Sequence, residues 1–437
     1  MQDALVRLAV YTGGLASLMI LFPIVGVEPL EQEVARVSRE IQSATTFFVQ
    51  SITVSEILID YQNAKIAGSS TTTSSYSSKA ARAARRKAPS AEKVSILIVP
   101  GHEPGMGGTE FGGLYERDIA IDISDSLVDL LKQNPRYDVI VARTKTEWNP
   151  LLQSYFDTHA AEIAAFIESQ KQQMAGYIAT GRFTLESDQV SHPSAPSAAA
   201  LKIYGINKWT SENNVAITLH LHVNDYGGRR SRRSGIYDGF VVYVPDHQYS
   251  NGEASKAIGM AIANRLSAYH ATSTLSKEDV GVVEDRELIA TGSNNTADGA
   301  ALLIEYGYIY EPQFQKSRVR EVAIADYAYA TYLGLQDFFN DPVAPTYGSI
   351  SFPYDWDTVT VADGATGPGV YALQSALRYL GSYPPRGKTF SDCPVSGVAG
   401  KCTQKAIAEY QAAGGLETTG TFGPKTRAAL EKDLPTP

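Results

Sequence analysis

Cysteine is nearly absent from this chain of 437 residues: there are two, Cys393 and Cys402, both near the C-terminal end. That excludes a four-cysteine zinc site and a disulfide-rich scaffold, and leaves room for one short-loop bond in an oxidising compartment. Basic charge is also short. The 38 Lys and Arg residues face 47 Asp and Glu, a net charge of −9, which is the wrong sign for a whole-chain nucleic-acid binder. No nucleic-acid partner is therefore expected. No Gly-Lys-Ser/Thr loop and no clean G-x-G-x-x-G follows a strand, so the usual nucleotide cradles are missing too. Charged residues make up 19% and apolar residues 43%, a balance that permits a sizeable core. The length allows roughly two or three domains.

Long uncharged runs are scarce, and the notable one lies at the start. Residues 8–27, "LAVYTGGLASLMILFPIVGV", carry no charge, and about 20 such residues suffice to span a bilayer as a helix. Arg7 precedes the run; Glu28, Glu31 and Glu33 follow it. This asymmetry favours an N-terminus inside and the remainder outside the cytoplasmic membrane. Residues 1–29 are thus expected to anchor the chain in the membrane. A cleaved signal peptide is the alternative, although no clear small-x-small cleavage site follows the run. Residues 30–67 have helical spacing, with Val34, Val37 and Ile41 on one face, and read as a stalk. Residues 68–92, first Ser/Thr-rich and then basic and Ala-rich, read as a flexible linker.

A folded region spans 93–340. Apolar strands are expected at 94–99, 138–142, 215–223 and 300–305, and helices at 116–133, 255–267 and 318–339. Strands alternating with helices imply an α/β domain, a mixed sheet with helices on both faces. An insertion at 149–199 carries an amphipathic stretch with Leu152, Tyr155, Phe156, Ile163, Phe166 and Ile167 on one face. It would either lie over a cleft, as a restraint lifted by a protein activator, or simply pack on the sheet edge. A boundary at 341–364 is Tyr-, Pro- and Asp-rich. In residues 365–437 an internal repeat follows: "SGVAGKCTQKAI" aligns with "TGTFGPKTRAAL", each a Gly-rich turn feeding a short helix, which implies a small all-α domain.

The chemistry gathers at element ends. In "ILIVPGHEPGMGGTEFGGLYERDIAIDI" the first strand runs into His102, a glycine-rich loop follows, and Glu116 heads a helix. The C-terminal ends of strands are where α/β folds place their sites. "HLHVND" offers His220 and His222 on one face of a strand, and His222 lies nearer its C-terminal end. Glu305 ends the strand "AALLIE". Two histidines and a glutamate with one open position form a catalytic zinc set, His102, Glu116 and His222, with Glu305 as acid/base. His220 reads as structural or supporting, and His159, His192, His247 and His270 have no ligand-like context.

These residues resemble the zinc-dependent N-acetylmuramoyl-L-alanine amidases of bacterial cell-wall turnover. The resemblance rests on "PGH" ending at His102, on Glu116 before "IAIDISDSLVDLL", on "HVN" from His222 to Asn224, on "LLIEYGYI" around Glu305 and on "LKIYGIN" at 201–207. It implies Zn²⁺ on His102, Glu116 and His222, Glu305 as the catalytic carboxylate, and cleavage between N-acetylmuramic acid and L-alanine of peptidoglycan. Two positions depart from the family pattern: Val99 replaces an Asp and Glu103 replaces a Gly. Glu103, His220 and Asn224 are the candidates for supporting the ligands from behind. A non-catalytic wall-binding protein and a zinc peptidase acting on stem peptides are the alternatives. The C-terminal repeat, with "YALQSALRYLG" and "KAIAEYQAAGGL", resembles the small peptidoglycan-binding domain of wall hydrolases, and with it an extracytoplasmic location is expected.

Overall fold

In the computed structural model, residues 93–185, 190, 192, 195–226, 228–230, 232–339, 356–389 and 392–434 are described. The expected anchor, stalk and linker at 1–92 lie outside them, as does much of 341–364. No helix of the described residues is long and apolar enough to cross a membrane.

The chain enters the sheet with β1 (Val94–Pro100), whose apolar run is buried almost throughout. A tight hairpin, β2 (Glu110–Phe111) and β3 (Leu114–Tyr115), leads into α1 (Glu116–Leu131). There follow β4 (Tyr137–Val141), α2 (Pro150–Thr158), α3 (Ala160–Ala179) and α4 (Ser197–Glu212). Next come β5 (Ile217–Asn224), β6 (Val241–Pro245), α5 (Gly252–Ser267), β7 (Val282–Asp285), β8 (Ala300–Tyr308) and α6 (Ser317–Phe339). The sheet order is β4-β1-β5-β8-β6-β7. The first four strands run parallel, while β6 meets β8 antiparallel and β7 follows β6. Central strands of such a sheet are covered on both faces, which is why "ILIV" and "ALLI" read as continuous apolar runs rather than alternating ones.

The two faces are filled differently. α1, α5 and α6 pack on one side, with Ile119, Ile123, Leu127, Ile258, Ile262 and Leu335 among the buried residues. On the other, Leu97 and Val99 of β1 meet Leu152, Tyr155, Phe156, Ile163, Tyr204, Ile206 and Trp209. The amphipathic stretch of the insertion is therefore two helices, broken at His159, and its apolar residues enter the core. A restraint lying over the cleft is not the arrangement seen: that face is already buried against β1 and α4. Phe166 and Ile167 stay half-buried.

The C-terminal lobe has its own core around Trp356, Leu373, Leu377, Ile407, Tyr410 and Leu430. It is built from α7 (Pro368–Tyr379), α8 (Lys401–Ala413) and α9 (Pro424–Asp433). The repeat is visible as two equivalent buried glutamines. Gln374 accepts from the N–H groups of Ser396 and Gly397, and donates to Val398 O and Thr403 Oγ1. Gln411 accepts from the N–H groups of Thr419 and Gly420, and donates to Thr421 O and Thr426 Oγ1. Gly397 and Gly420 hold φ of 67° and 68°, the left-handed region each turn needs. Cys393 and Cys402 are disulfide-bonded. The lobe seats on the sheet domain through Tyr371, which is fully buried within the larger domain's core, and through Arg378, whose guanidinium donates to His270 O at 2.8 Å.

Candidate metal centre

Three adjacent strands, β1, β5 and β8, carry the site at their C-terminal ends. His222 and Glu305 are direct register partners across β5 and β8. His102 follows β1 in a left-handed conformation, φ 67°, which is uncommon for a residue with a Cβ and turns the chain back over the strand ends. Glu116 is the first residue of α1 and is buried.

Ligand atoms of His102, Glu116 and His222 all lie within 4.8 Å of one another. His102 Nε2 is 2.7 Å from Glu116 Oε2, and His222 Nδ1 is 2.9 Å from Glu116 Oε1. The first pair is close but misaligned: buried His102 Nε2 makes no hydrogen bond. A buried ring nitrogen left without a hydrogen bond beside two further ligand atoms is what a cation site offers, and two imidazoles with a carboxylate suit zinc. At two positions the loop leaves no space for larger side chains. A Cβ at Gly101 would lie 2.6 Å from the His222 ring, and one at Gly108, where φ is 79°, would lie 2.9 Å from the His102 ring. Among the described residues a second cluster, Asp246, His247 and Glu284, also has ligand types, but Lys256 Nζ already occupies Glu284 at 2.7 Å.

Burial opposes ionisation of Glu116, but the neighbouring imidazoles of His102 and His222 outweigh it and hold the carboxyl well below its usual range. Burial lowers His222, with Glu116 acting in the opposite sense. Glu305 is pushed the other way, well above the carboxylate range, by burial first and then by the charges of Glu116 and Glu278. Its Oε2 is buried without a hydrogen-bond partner. The two carboxyl groups are thus driven in opposite directions, Glu116 toward the anion and Glu305 toward tighter proton binding. Such a divergence marks acid and base assignments.

The supporting residues differ from expectation. Glu103 pairs with Lys202 of α4, away from the ligands. Its carboxylate is taken up by α4. Asn224 accepts from Asp225 N and, through its backbone, from Ile309 N; it shapes the loop after β5. His220 is buried behind His222, and burial, with a smaller effect of His222, lowers its pKa to about 3, so it stays neutral. Val99 is core, packed toward α4. The support comes instead from Arg143, just past β4. It is 2% exposed and donates to the carbonyls of Pro100 (3.0 Å), Gly101 and Arg117 (3.0 Å). One guanidinium therefore ties the His102 turn to the first turn of α1. Thr109 N adds a hydrogen bond to Glu116 Oε2 at 3.1 Å. A polar residue at a strand's C-terminal end was the signal that exposed Glu305; applied to "VIVAR", it would have found Arg143.

The family follows from similarity to known proteins. Residues 96–337 match the family described as N-acetylmuramoyl-L-alanine amidase, more than half of the chain, and the chain belongs to that family. Residues 366–430 match the putative peptidoglycan binding domain. A spore cortex-lytic enzyme of Halalkalibacterium halodurans is 38% identical over 72 residues, 16% of this chain and 19% of that protein. The chain thus aligns with about a fifth of that relative's length. Among solved structures, the CwlD amidase of Clostridioides difficile, in complex with the GerS lipoprotein, is 15% identical with a TM-score of 0.37, over 57% of this chain and 99% of that one. The amidase Ami1 of Mycobacterium smegmatis is 12% identical with a TM-score of 0.38, over 57% and 98%.

Proposed function

We propose that the protein is a zinc-dependent N-acetylmuramoyl-L-alanine amidase of the bacterial cell envelope. The observation that carries this reading is the convergence of His102, Glu116 and His222 beside Glu305, its register partner on β8. The first three would hold the ion; when bound, zinc supplies a Lewis acid for the scissile carbonyl and lowers the pKa of a water. The rest of the work falls to the chain. Glu305 receives a proton from the attacking water and delivers it to the amide nitrogen as the C–N bond breaks and the new C–O bond forms. Its raised proton affinity suits the delivery step. Arg143 and the glycines at 101 and 108 keep the ligands in place.

On this reading the C-terminal lobe holds the enzyme against insoluble peptidoglycan, which raises the local substrate concentration. The Cys393–Cys402 bond supports an oxidising, extracytoplasmic setting, with residues 8–27 as the membrane anchor. An activating protein partner would have to engage the outer surface of α3, because its inner face is buried.

The test is to incubate the full chain with purified peptidoglycan, with and without a chelator, and to identify released fragments by mass spectrometry. Stem peptides with a free L-alanine N-terminus, lost with chelator, are the expected product. Cuts within the stem would make it a peptidase, and wall binding with no release at any metal concentration would refute the amidase.

A further inference from the structure

Between the β2–β3 hairpin and the loop after β5 lies an open cleft of about 830 Å³, lined by Glu110, Phe111, Gly112 and Gly113 on one wall and Asp225, Tyr226, Arg229 and Arg232 on the other. Its volume is in the range of ligand pockets. The second wall belongs to a segment of unusual composition. In a chain of net charge −9, the stretch "GGRRSRRSG" between β5 and β6 places Arg229, Arg230, Arg232 and Arg233 within five residues.

These arginines do two different jobs. Arg229 is an anchor. It donates to both oxygens of Asp225, at 2.5 and 3.0 Å, and to Glu110 O at 2.9 Å, and lies over the Phe111 ring at 5.1 Å. Asp225 also accepts from Thr109 Oγ1, and Thr109 N donates to Glu116 Oε2. The arginine loop is thereby tied through two residues to a metal ligand. Arg230, Arg232 and Arg233 are exposed, and among the described residues no carboxylate pairs with them. Arg232 lines the cleft and holds φ of 66°, a conformation rarely adopted by residues other than glycine. The acidic residue on the facing wall, Glu110, already accepts from Gly113 N at 2.7 Å. Arg232 therefore brings to the cleft a positive charge with no paired carboxylate, and Arg230 and Arg233 flank it in the chain.

We propose that Arg230, Arg232 and Arg233 form a subsite for the carboxylates of an acidic peptide, the stem of the substrate, and give the enzyme a preference for stems with free rather than amidated carboxyl groups. This rests on the amidase reading. Guanidinium groups match carboxylates with a two-pronged geometry, and such bonds are stronger than neutral ones. The cleft favours a short peptide over a wall polymer, since its wall is tied through Asp225 and Thr109 to the metal ligand Glu116.

The test compares two soluble muramoyl tripeptides that differ only at the glutamyl α-carboxyl, free in one and amidated in the other. The full chain and its R230Q/R232Q/R233Q variant are assayed at low and high salt. The expected kcat/KM ratio, acid over amide, is about 10-fold for the unaltered chain, the size of one charge-assisted hydrogen bond. It falls toward 1 in the triple variant and at high salt, and R232Q alone lowers it part of the way. A ratio near 1 in the unaltered chain, or one that survives in the variant, overturns the proposal while leaving the amidase reading intact. If neither tripeptide is cleaved, the amidase reading fails instead, and calorimetric binding of the same two peptides decides the subsite: tighter binding of the acid, lost in the variant, sustains it, and equal or absent binding overturns it. Should the variant lose only co-sedimentation with walls, and should stripping anionic polymers from those walls do the same, the arginines belong to polymer binding and the proposal is overturned.

Discussion

The mouth of β1, β5 and β8 and the seam beneath α7 both bury ionisable groups, and they use them in opposite ways. At the mouth, His102 Nε2 and Glu305 Oε2 are buried without hydrogen-bond partners, and the carboxylate of Glu116 is shared between two imidazoles. At the seam, Glu311 is capped on three sides: its Oε1 accepts from Gly239 N (3.0 Å) and Tyr308 N (2.6 Å), and its Oε2 from Gln313 Nε2 (2.8 Å). His270 is wedged against Tyr327 and Tyr371. At the mouth the unpartnered atoms sit among further ligand atoms around one point and can take a cation, whereas at the seam Glu311 is met by two backbone N–H groups and Gln313, and the unpartnered His270 Nε2 sits among aromatic rings. The difference teaches that burial of a charge is uninformative until its partners are counted.

The sharpest break in this comparison is Glu305→Gln. The substitution is nearly isosteric and removes the proton carrier, so kcat on a soluble muramoyl peptide should fall by about 10²- to 10⁴-fold, while bound metal and melting temperature hold. An active variant with unchanged pH profile would remove Glu305 from the mechanism. Tyr371→Ala should do the reverse. It empties a fully buried ring site shared by both lobes, at a cost of about 3 kcal/mol, seen as a lower denaturation midpoint. Metal per chain should not change. If Tyr371→Ala instead released the metal, the two regions would be coupled and the contrast would fall.

How much of this was legible in the sequence follows from which interactions are local. His102, Glu116, His222 and Glu305 could be read because each sits at or near an element end, Glu305 three residues short of the end of β8, and α/β topology fixes where such ends lie. The backing of the site could not. Glu103 and Asn224 are adjacent to ligands in sequence, but the left-handed turn at His102 and the loop after β5 send them elsewhere. Arg143 is 41 residues from His102 by number, and only the β1–β4 pairing brings it to the Pro100 and Gly101 carbonyls. The insertion helices left two readings open for a similar reason: an apolar face says that something is covered, not what covers it. The seam is less legible still, because His270, Glu311 and Tyr371 meet only through packing between lobes.

Arg143 supplies the third prediction. Burial lowers its pKa to about 10, so it remains charged at neutral pH. Arg143→Lys keeps the charge but cannot span three carbonyls on two elements. Metal affinity, measured by competition with a chelator, should fall roughly 10- to 100-fold, with the circular dichroism spectrum preserved. Unchanged affinity would mean that the glycine loop alone holds the ligands.

The smallest effect is the most specific to the seam. Burial raises the Glu311 pKa to about 7, against the hydrogen bonds from Tyr308, Gln313 and Gly239. Its unfolded value is near 4.3. Between these values the unfolded chain has lost the proton and the folded one retains it, so this group's contribution to stability is greatest below about pH 4.3 and is lost as pH rises toward 7. Glu311→Gln removes the titration without removing the contacts. The amide oxygen can still accept from Gly239 and Tyr308. Its new N–H₂ can be met by Gln313, whose Oε1 has no partner and can exchange places with its amide nitrogen. The stability of the variant minus that of the parent should therefore rise by on the order of 1 kcal/mol per pH unit between about pH 5 and 7, measured by denaturant titration at matched ionic strength. His270, which burial and then Arg378 depress to about 3, gives the opposite slope below about pH 6.5, but it does so in both proteins and cancels in the difference. A flat difference curve would show that Glu311 is an anion held by its backbone donors, and the seam would then resemble the metal centre more closely than the burial of Tyr371 implies.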